Sequence, residues 1–393
     1  MAAMPATIAI DASRLSVAER TGTERYSYEL VAALARVDRW QPYALYTNGL
    51  PAALPPLGPN FTLRSIPLRR LWTHGRLGPQ LARDRPGLLF VPAHVVPLAG
   101  APPSVVTIHD LGYLAFPQAH TARRRLELHL TTRWSLRAAR RVIAISRATK
   151  DDLVRHYGAD PARIAVVHHG LSAGFRPSDD PAALARHGLE RPYFLYVGTL
   201  QPRKNLERLI EAYATAAQLL GNAVAAGGGP APGRPERIPG PGPSAPWPQL
   251  AIAGRRGWLS QAIERRAAQL GVADSVRFLG YVDDGDLPAL LSGATAFLFP
   301  SLYEGFGMPV LEAMACGAPV LTSTTSALPE VAGDAALLVD PADTAAIARG
   351  IARLAADPGL RADLRARGLA RAARFTWERC ARETREVLLG ALG

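Results

Sequence analysis

One stretch gathers residue types that can do chemistry at a single turn: SLYEGFGMPVLEAMACGAPV, positions 301–320. An apolar run ends at Pro300–Ser301, glycines at 305 and 307 break the chain, and Pro309 suits the first position of a helix that stops before Gly317. The amides of Gly305, Phe306, Gly307 and Met308 then stand at the positive end of that helix, which makes a ready anion site. Glu304 lies in the turn and Glu312 about one turn inside the helix, so both carboxylates can face one cleft. Such a site suits a ligand that carries phosphate charge and hydroxyls, for example a sugar nucleotide. Glu312 would then accept from ribose hydroxyls and Glu304 would bind the sugar. The plainer alternative is a helix-start glutamate beside a surface glutamate, and spacing alone leaves both open.

The elements that must position this turn follow a regular rhythm. In the first half TIAID (7–11), YALYT (43–47), LLFVP (88–92), SVVTI (104–108), RVIAIS (141–146) and IAVVHH (164–169) read as strands. Helices are expected from about Glu24 to Arg36 and across Arg123–Ala139. The second half repeats the pattern with YFLYVG (193–198), QLAIAG (249–254), SVRFLG (275–280), AFLFPS (296–301), PVLTS (319–323) and ALLVD (336–340). Strands alternating with helices imply an α/β chain with two doubly wound, Rossmann-like parallel sheets, whose ligands sit at the carboxyl ends of strands. The boundaries expected are 1–175, 176–375, and a closing helix over 376–393 that packs back on the first domain. The Gly/Pro-dense segment Gly221–Pro248 predicts a disordered surface insertion.

Composition limits the function classes. A chain of 393 residues, 48% hydrophobic, is long enough for two ordinary domains. Its two cysteines, Cys316 and Cys380, make neither a disulfide framework nor a metal-ligand spacing, which points to a reducing, cytoplasmic setting. No basic region precedes the first apolar run, so no signal peptide is expected. The uncharged stretch Leu88–Ile108 holds four prolines and a histidine, so it reads as two buried strands rather than a membrane span. The formal charge of +12 suits anionic lipid, nucleic acid or phosphorylated substrates, although an arginine-rich, lysine-poor composition also follows from a GC-rich genome. No nucleic-acid-binding spacing appears, which speaks against that partner. The turn Arg69–Arg76 (RRLWTHGR) and the helix bearing Arg123, Arg124, Arg125, Arg133, Arg137, Arg140 and Arg141 could dock on an anionic membrane surface at its inner face, or form a solvated basic face.

At Glu304 and Glu312, eight positions apart around GFGMPVLE, the sequence resembles the retaining glycosyltransferases of family four, which have the GT-B fold. The resemblance covers nearly the whole chain. VGTLQPRKNLERLIEAY (197–213), LAIAGRRGW (250–258), VRFLGYVDDGDLPALL (276–291) and ALPEVAGDAALLVDP (327–341) are similar to that family's second domain. TGTERYSYELVAAL (21–34), TIHDL (107–111) and VVHHGL (166–171) are similar to its first.

This resemblance implies two Rossmann-like domains facing a cleft, with the acceptor on the first and a nucleotide-diphosphate sugar on the second. It implies that Arg203 and Lys204, after the strand-ending Gly198, neutralise the diphosphate, and that His109 lies beside the donor sugar with Asp110 orienting its loop. In the loop between the first strand and the first helix, where family members often carry two glycines that close over the sugar phosphate, this chain has Gly22 followed by Thr23, and Arg25 could compensate with a side-chain contact. Glu330 in ALPEVAG falls near the ribose or base, ahead of a turn. The nucleobase falls near Arg255, Tyr281 and Val282. No Asp-x-Asp motif stands where a diphosphate would need one, so no metal and no cofactor are expected. GDP-mannose leads as donor and a UDP-hexose follows, with a glycan or lipid-linked acceptor in polysaccharide or glycolipid assembly. A sugar-nucleotide 2-epimerase of the same fold, a phosphorylase and a non-enzymatic polyanion-binding protein are the competing readings. They are separated by donor-only epimerisation, by the absorption of a pyridoxal cofactor, and by salt-sensitive polyanion binding.

Overall fold

Runs of Val, Ile, Leu, Phe and Tyr that are apolar on both sides of the chain make strands buried on both faces, the signature of parallel sheets covered by helices. The computed structural model describes residues 5–17, 22–51, 53–68, 70–93, 95–225, 247–255 and 260–393. Two compact units are found, residues 1–172 with 375–393, and residues 173–374.

In the first unit the strands are β1 (Ile8–Asp11), β2 (Tyr43–Thr47), β3 (Phe61–Ser65), β4 (Leu88–Val91), β5 (Ser104–Ile108), β6 (Arg141–Ala144) and β7 (Ile164–Val166). They form one sheet in the order β3-β2-β1-β4-β5-β6-β7, every pair parallel. In the second unit β8 (Tyr193–Val197), β9 (Gln249–Ala253), β10 (Val276–Gly280), β11 (Ala296–Phe299), β12 (Val320–Ser323) and β13 (Leu337–Val339) form the order β10-β9-β8-β11-β12-β13, again parallel throughout. The winding direction reverses between β1 and β4 in one sheet and between β8 and β11 in the other. Loops that leave those strands at their carboxyl ends line a crevice at each reversal.

Packing holds the loops' bases rigid. In the first sheet Ile8, Ile10, Leu30, Leu34 and Phe90 fill one face, and Leu77, Leu89, Val91 and Leu153 fill the other. Each such side chain contributes about 1.5–3 kcal/mol on burial. The closing helix Trp377–Leu392 belongs to this first core through Trp377, Cys380, Leu388 and Ala391. It is latched by Arg385 Nε to Asp38 Oδ2 at 2.5 Å and by Arg36 to Glu378 at 2.7 Å.

Three expectations change. Strand β3 is not announced by the sequence, because only Phe61 is buried and Thr62–Ser65 are exposed at the sheet edge, so no apolar run marks it. The helix Leu206–Ala225 runs five residues into the expected disordered insertion. On the far side Trp247 is packed against Phe194 and Tyr213, whose hydroxyl donates to Pro248 O at 3.0 Å. The rest of that insertion, 226–246, lies outside the described residues. The strands also stop short of several expected ends; β7 closes at Val166, leaving His168 and His169 in the loop.

Candidate active site

Build the second unit's crevice from its two flanking loops. The loop after β8 passes Gly198, then makes a single 3-10 turn, Pro202–Lys204, ended by Asn205 in the left-handed region. Asn205 Nδ2 donates to Pro300 O at 3.0 Å and to Pro341 O at 2.7 Å, which pins this loop to the end of β11. The loop after β11 is stitched to the first by Leu302 N and Ser301 Oγ, which both donate to Arg203 O, at 2.8 and 2.9 Å. Neither Asn205 nor Ser301 is picked out by the sequence reading, since an asparagine after a charge pair and a serine after a strand are common.

Glu304 is the hub. Its Oε1 accepts from Lys204 Nζ at 2.5 Å and from Ser301 Oγ at 2.7 Å, and its Oε2 accepts from Arg203 Nη1 at 2.7 Å. Lys204 and Glu304 are each buried, and Lys204 Nζ also stands 4.8 Å from the Phe299 ring centroid. Burial alone would push the Glu304 carboxyl up; the Lys204 and Arg203 charges beside it outweigh burial and hold it below the ordinary value of 4.5. Tyr196, buried beneath, has no hydrogen-bond partner for its hydroxyl among the described residues. Burial, and next the Glu304 charge, raise its pKa well above the usual phenol range.

The anion-site turn forms as the residues dictate, with one shift. Gly307, at φ 112°, is the cap, so Met308 is the first helical residue of Met308–Ala315 and Pro309 the second, not the first. A Cβ on Gly307 would meet Leu328 Cδ2 at 2.7 Å and would be strained at that φ in any case. No side chain caps this helix, and the amides of Gly307 and Met308 have no partner among the described residues. Glu312 is half-buried on the same helix. Burial, and then the Glu312 charge, push the Cys316 thiol up to about 12.

The other residues expected to line the donor fall on or near neighbouring strand ends. Gly254 closes β9 so tightly that a Cβ would lie 2.0 Å from Gly198 O. Arg255 lies 4.8 Å over the ring of Tyr281, which is 56% exposed, and Val282 is buried beside it. Glu330 sits in a short helix, Leu328–Ala332, ahead of the turn at Gly333–Asp334, and its carbonyl accepts from Arg371 Nη2 at 2.6 Å.

The first unit holds the other site residues. His109 follows β5, and its Nε2 lies 2.8 Å from Pro92 O. A carbonyl can only accept, so Nε2 carries the proton. Its ring meets Tyr26 edge-on at 4.8 Å. Asp110 Oδ1 accepts from Gly112 N at 2.8 Å and so shapes the next turn. Gly22 is not in a loop but is the first residue of the helix Gly22–Val37, and no described residue lies within 4 Å of the Cβ it lacks. Arg25 follows on that helix, while the neighbouring Glu24 is buried and paired with Arg14 at 3.0 Å. A cavity of about 380 Å³ opens here, lined by His109, Asp110, Thr23, Tyr113, His120 and Arg124.

Comparison with known proteins decides the family. Residues 182–371 match the glycosyl transferases group 1, and residues 20–174 match glycosyltransferase family 4. An O-antigen chain mannosyltransferase B of Escherichia coli is 35% identical over 72% of this chain and 68% of its own length. The chain is a group 1 glycosyltransferase of family four. A D-inositol 3-phosphate glycosyltransferase of Streptomyces bingchenggensis is 36% identical over 65% of this chain, which spans about half (54%) of that protein. The solved structure of Anabaena HepE, in complex with UDP and glucose, covers 98% of this chain and 99% of its own at a TM-score of 0.69 and 17% identity. The glycosyltransferase therefore has the two-domain GT-B α/β fold. Among its described residues no helix is long and apolar enough to cross a membrane.

Proposed function

We propose that this glycosyltransferase moves a hexose, mannose before others, from a nucleotide-diphosphate sugar to an acceptor hydroxyl in polysaccharide or glycolipid assembly, retaining configuration and needing no metal. GDP-mannose is the first donor and a UDP-hexose the second. The observation that carries the reading is Glu304 held by both Lys204 and Arg203, in the turn that leads to the uncapped helix at Met308. The mannose preference is supported by the name of the E. coli relative; the UDP in HepE and the inositol phosphate relative keep the UDP-hexose and other acceptors in view.

In this reading the second unit binds the donor. Its diphosphate takes charge-assisted hydrogen bonds from Arg203, Lys204 and the amides of Gly307 and Met308, as a helix end and a cationic pair favour. Contacts from those cations to Glu304 are then shared with phosphate, leaving the carboxylate to accept from a sugar hydroxyl. Glu312 accepts from the ribose, with Glu330 nearby, and the base lies against Tyr281 and Arg255. The bond from the sugar's anomeric carbon to the leaving phosphate breaks, the acceptor oxygen bonds to that carbon on the same face, and the acceptor's proton passes to the leaving phosphate oxygen. Arginine and lysine stabilise the charge developing on that oxygen, the task a metal would otherwise perform. In the first unit the cavity at His109 takes the acceptor, with Asp110 setting its turn, while Arg25 on the first helix is kept as a side-chain contact for phosphate. The enzyme works on the cytoplasmic side, with the helix Ala122–Ala138 and the segment from Arg70 to Arg76, which runs into the helical turn Thr73–Leu77, available to an anionic membrane surface; Arg69 lies outside the described residues.

A panel of nucleotide-diphosphate sugars read by thermal shift identifies the donor. NMR of the product's anomeric proton then reads configuration, with and without chelator. Stabilisation by GDP-mannose above all others and an axial product unaffected by chelator are expected. An inverted product, or activity lost on chelation, contradicts the mechanism.

A further inference from the structure

A second basic cavity lies in the first unit, away from the residues above. It is a groove of about 560 Å³ between the second half of the helix Ala122–Ala138 and the segment from His156 to Ile164. Val142 and Ile164 floor it, so it opens at the amino ends of β6 and β7, whereas His109 follows the carboxyl end of β5. The strands are parallel, so these are opposite ends of one sheet.

Its lining is cationic on an apolar floor. Arg133 and Arg137 stand one helical turn apart, both exposed, and neither makes an ion pair with a described residue. Arg163 is held at the groove by donating to Leu136 O at 3.2 Å and to Ala139 O, so its charge already offsets the carbonyl end of the helix. His129 and His156 complete the rim, and His129 Nδ1 lies 3.0 Å from Tyr157 Oη. One carboxylate lines the groove, Asp160, and its Oδ1 accepts from Ala162 N at 2.9 Å. Three guanidiniums therefore face one acid. Contrast Arg124 on the same helix, which is paired with Glu127 at 2.8 Å.

We propose that this groove is a second anion site, separate from the donor site, that binds a phosphate or pyrophosphate group on a partly apolar body. Two guanidinium forks one turn apart match phosphate oxygens bidentately, and the floor of Leu136, Val142 and Ile164 accepts the apolar part. A volume of this order holds a small phosphorylated molecule or a headgroup rather than a bare ion. Free phosphorylated ligand and lipid headgroup present the same chemistry.

The test uses the whole protein carrying Arg203→Ala, which weakens competition from the donor site. Sodium pyrophosphate is titrated by calorimetry, and vesicles of phosphatidylglycerol in phosphatidylcholine are used in co-sedimentation. Adding Arg133→Gln and Arg137→Gln is expected to weaken one or both by about tenfold or more, since each lost charge-assisted contact is worth roughly a factor of ten. Loss confined to pyrophosphate identifies a free phosphorylated ligand; loss confined to vesicles identifies a headgroup. Arg39→Gln with Arg83→Gln removes the same charge from exposed positions of the same unit outside the groove and is expected to leave both unchanged. Equal loss in that control, unaltered binding after the groove substitutions, or no binding of either probe to begin with, overturns the proposal. None of these outcomes depends on the donor-site reading.

Discussion

The two sheets share one topology around their reversal points but treat a buried acid there in opposite ways. At the end of β1, Asp11 is buried and accepts from Ser13 N at 3.1 Å; burial raises its pKa above the usual carboxylate value, and Arg14 offsets little of this. After β11, Glu304 is as buried, yet two cations hold its pKa down. A doubly wound sheet supplies the crevice in both units, and loop residues alone decide whether the crevice is charged and ready for an anion. Fold carries the place, and in the proposed reading the Arg203–Lys204–Glu304 cluster carries the chemistry.

Breaking the cluster has the largest expected effect. Glu304→Ala leaves Lys204 buried without its carboxylate, so the second unit loses about 3–5 kcal/mol, read by denaturant unfolding. Transfer falls by about a thousandfold as the cations lose their geometry. Unfolding and activity must be measured together, because loss of activity here does not leave stability untouched. In the first unit, His109→Ala is expected to lower the transfer rate by about a hundredfold through misplacement of the acceptor, while donor affinity by calorimetry stays unchanged. A parallel loss of donor affinity would merge the two roles. Tyr281→Ala removes the ring under Arg255 and raises the donor KM by about fivefold, with kcat nearly constant.

The smallest effects sharpen the contrast by sign. Glu304 has a folded pKa below its unfolded value, so its stabilisation is full above the ordinary 4.5 and is lost as pH falls through the folded value. Asp11 has a raised folded pKa, so its contribution is favourable at low pH and is lost as pH rises through that value. Asp11→Asn is therefore expected to raise the melting temperature near neutral pH, by about 2–4 °C for roughly 1 kcal/mol, and to lose that gain in acid. A variant that melts lower at neutral pH would show that Asp11 is held by contacts that need its charge.

Strand positions were legible because fully buried parallel strands are written as unbroken apolar runs, and the Glu304 turn was legible because glycine and proline punctuate it. Edge strand β3 was not, since a strand with one buried residue leaves no apolar pattern. Gly22 was misplaced because a glycine in a polar stretch reads as loop, whereas here it starts a helix whose buried face begins at Glu24 and Tyr26. The direct grip of Lys204 and Arg203 on Glu304 joins positions about a hundred residues apart, and only the parallel pairing of β8 with β11 brings them together. Asn205 was invisible for the same reason: its partners, Pro300 and Pro341, are remote in sequence.

Calorimetric titration of the nucleoside diphosphate matching the donor, into wild type and into Arg203→Ala, tests the central claim most directly. Arg203 is 29% exposed, so its loss leaves the unit folded, and affinity is expected to drop by about tenfold or more. Undiminished affinity in Arg203→Ala would mean that the diphosphate is held elsewhere and that the Glu304 cluster is structural.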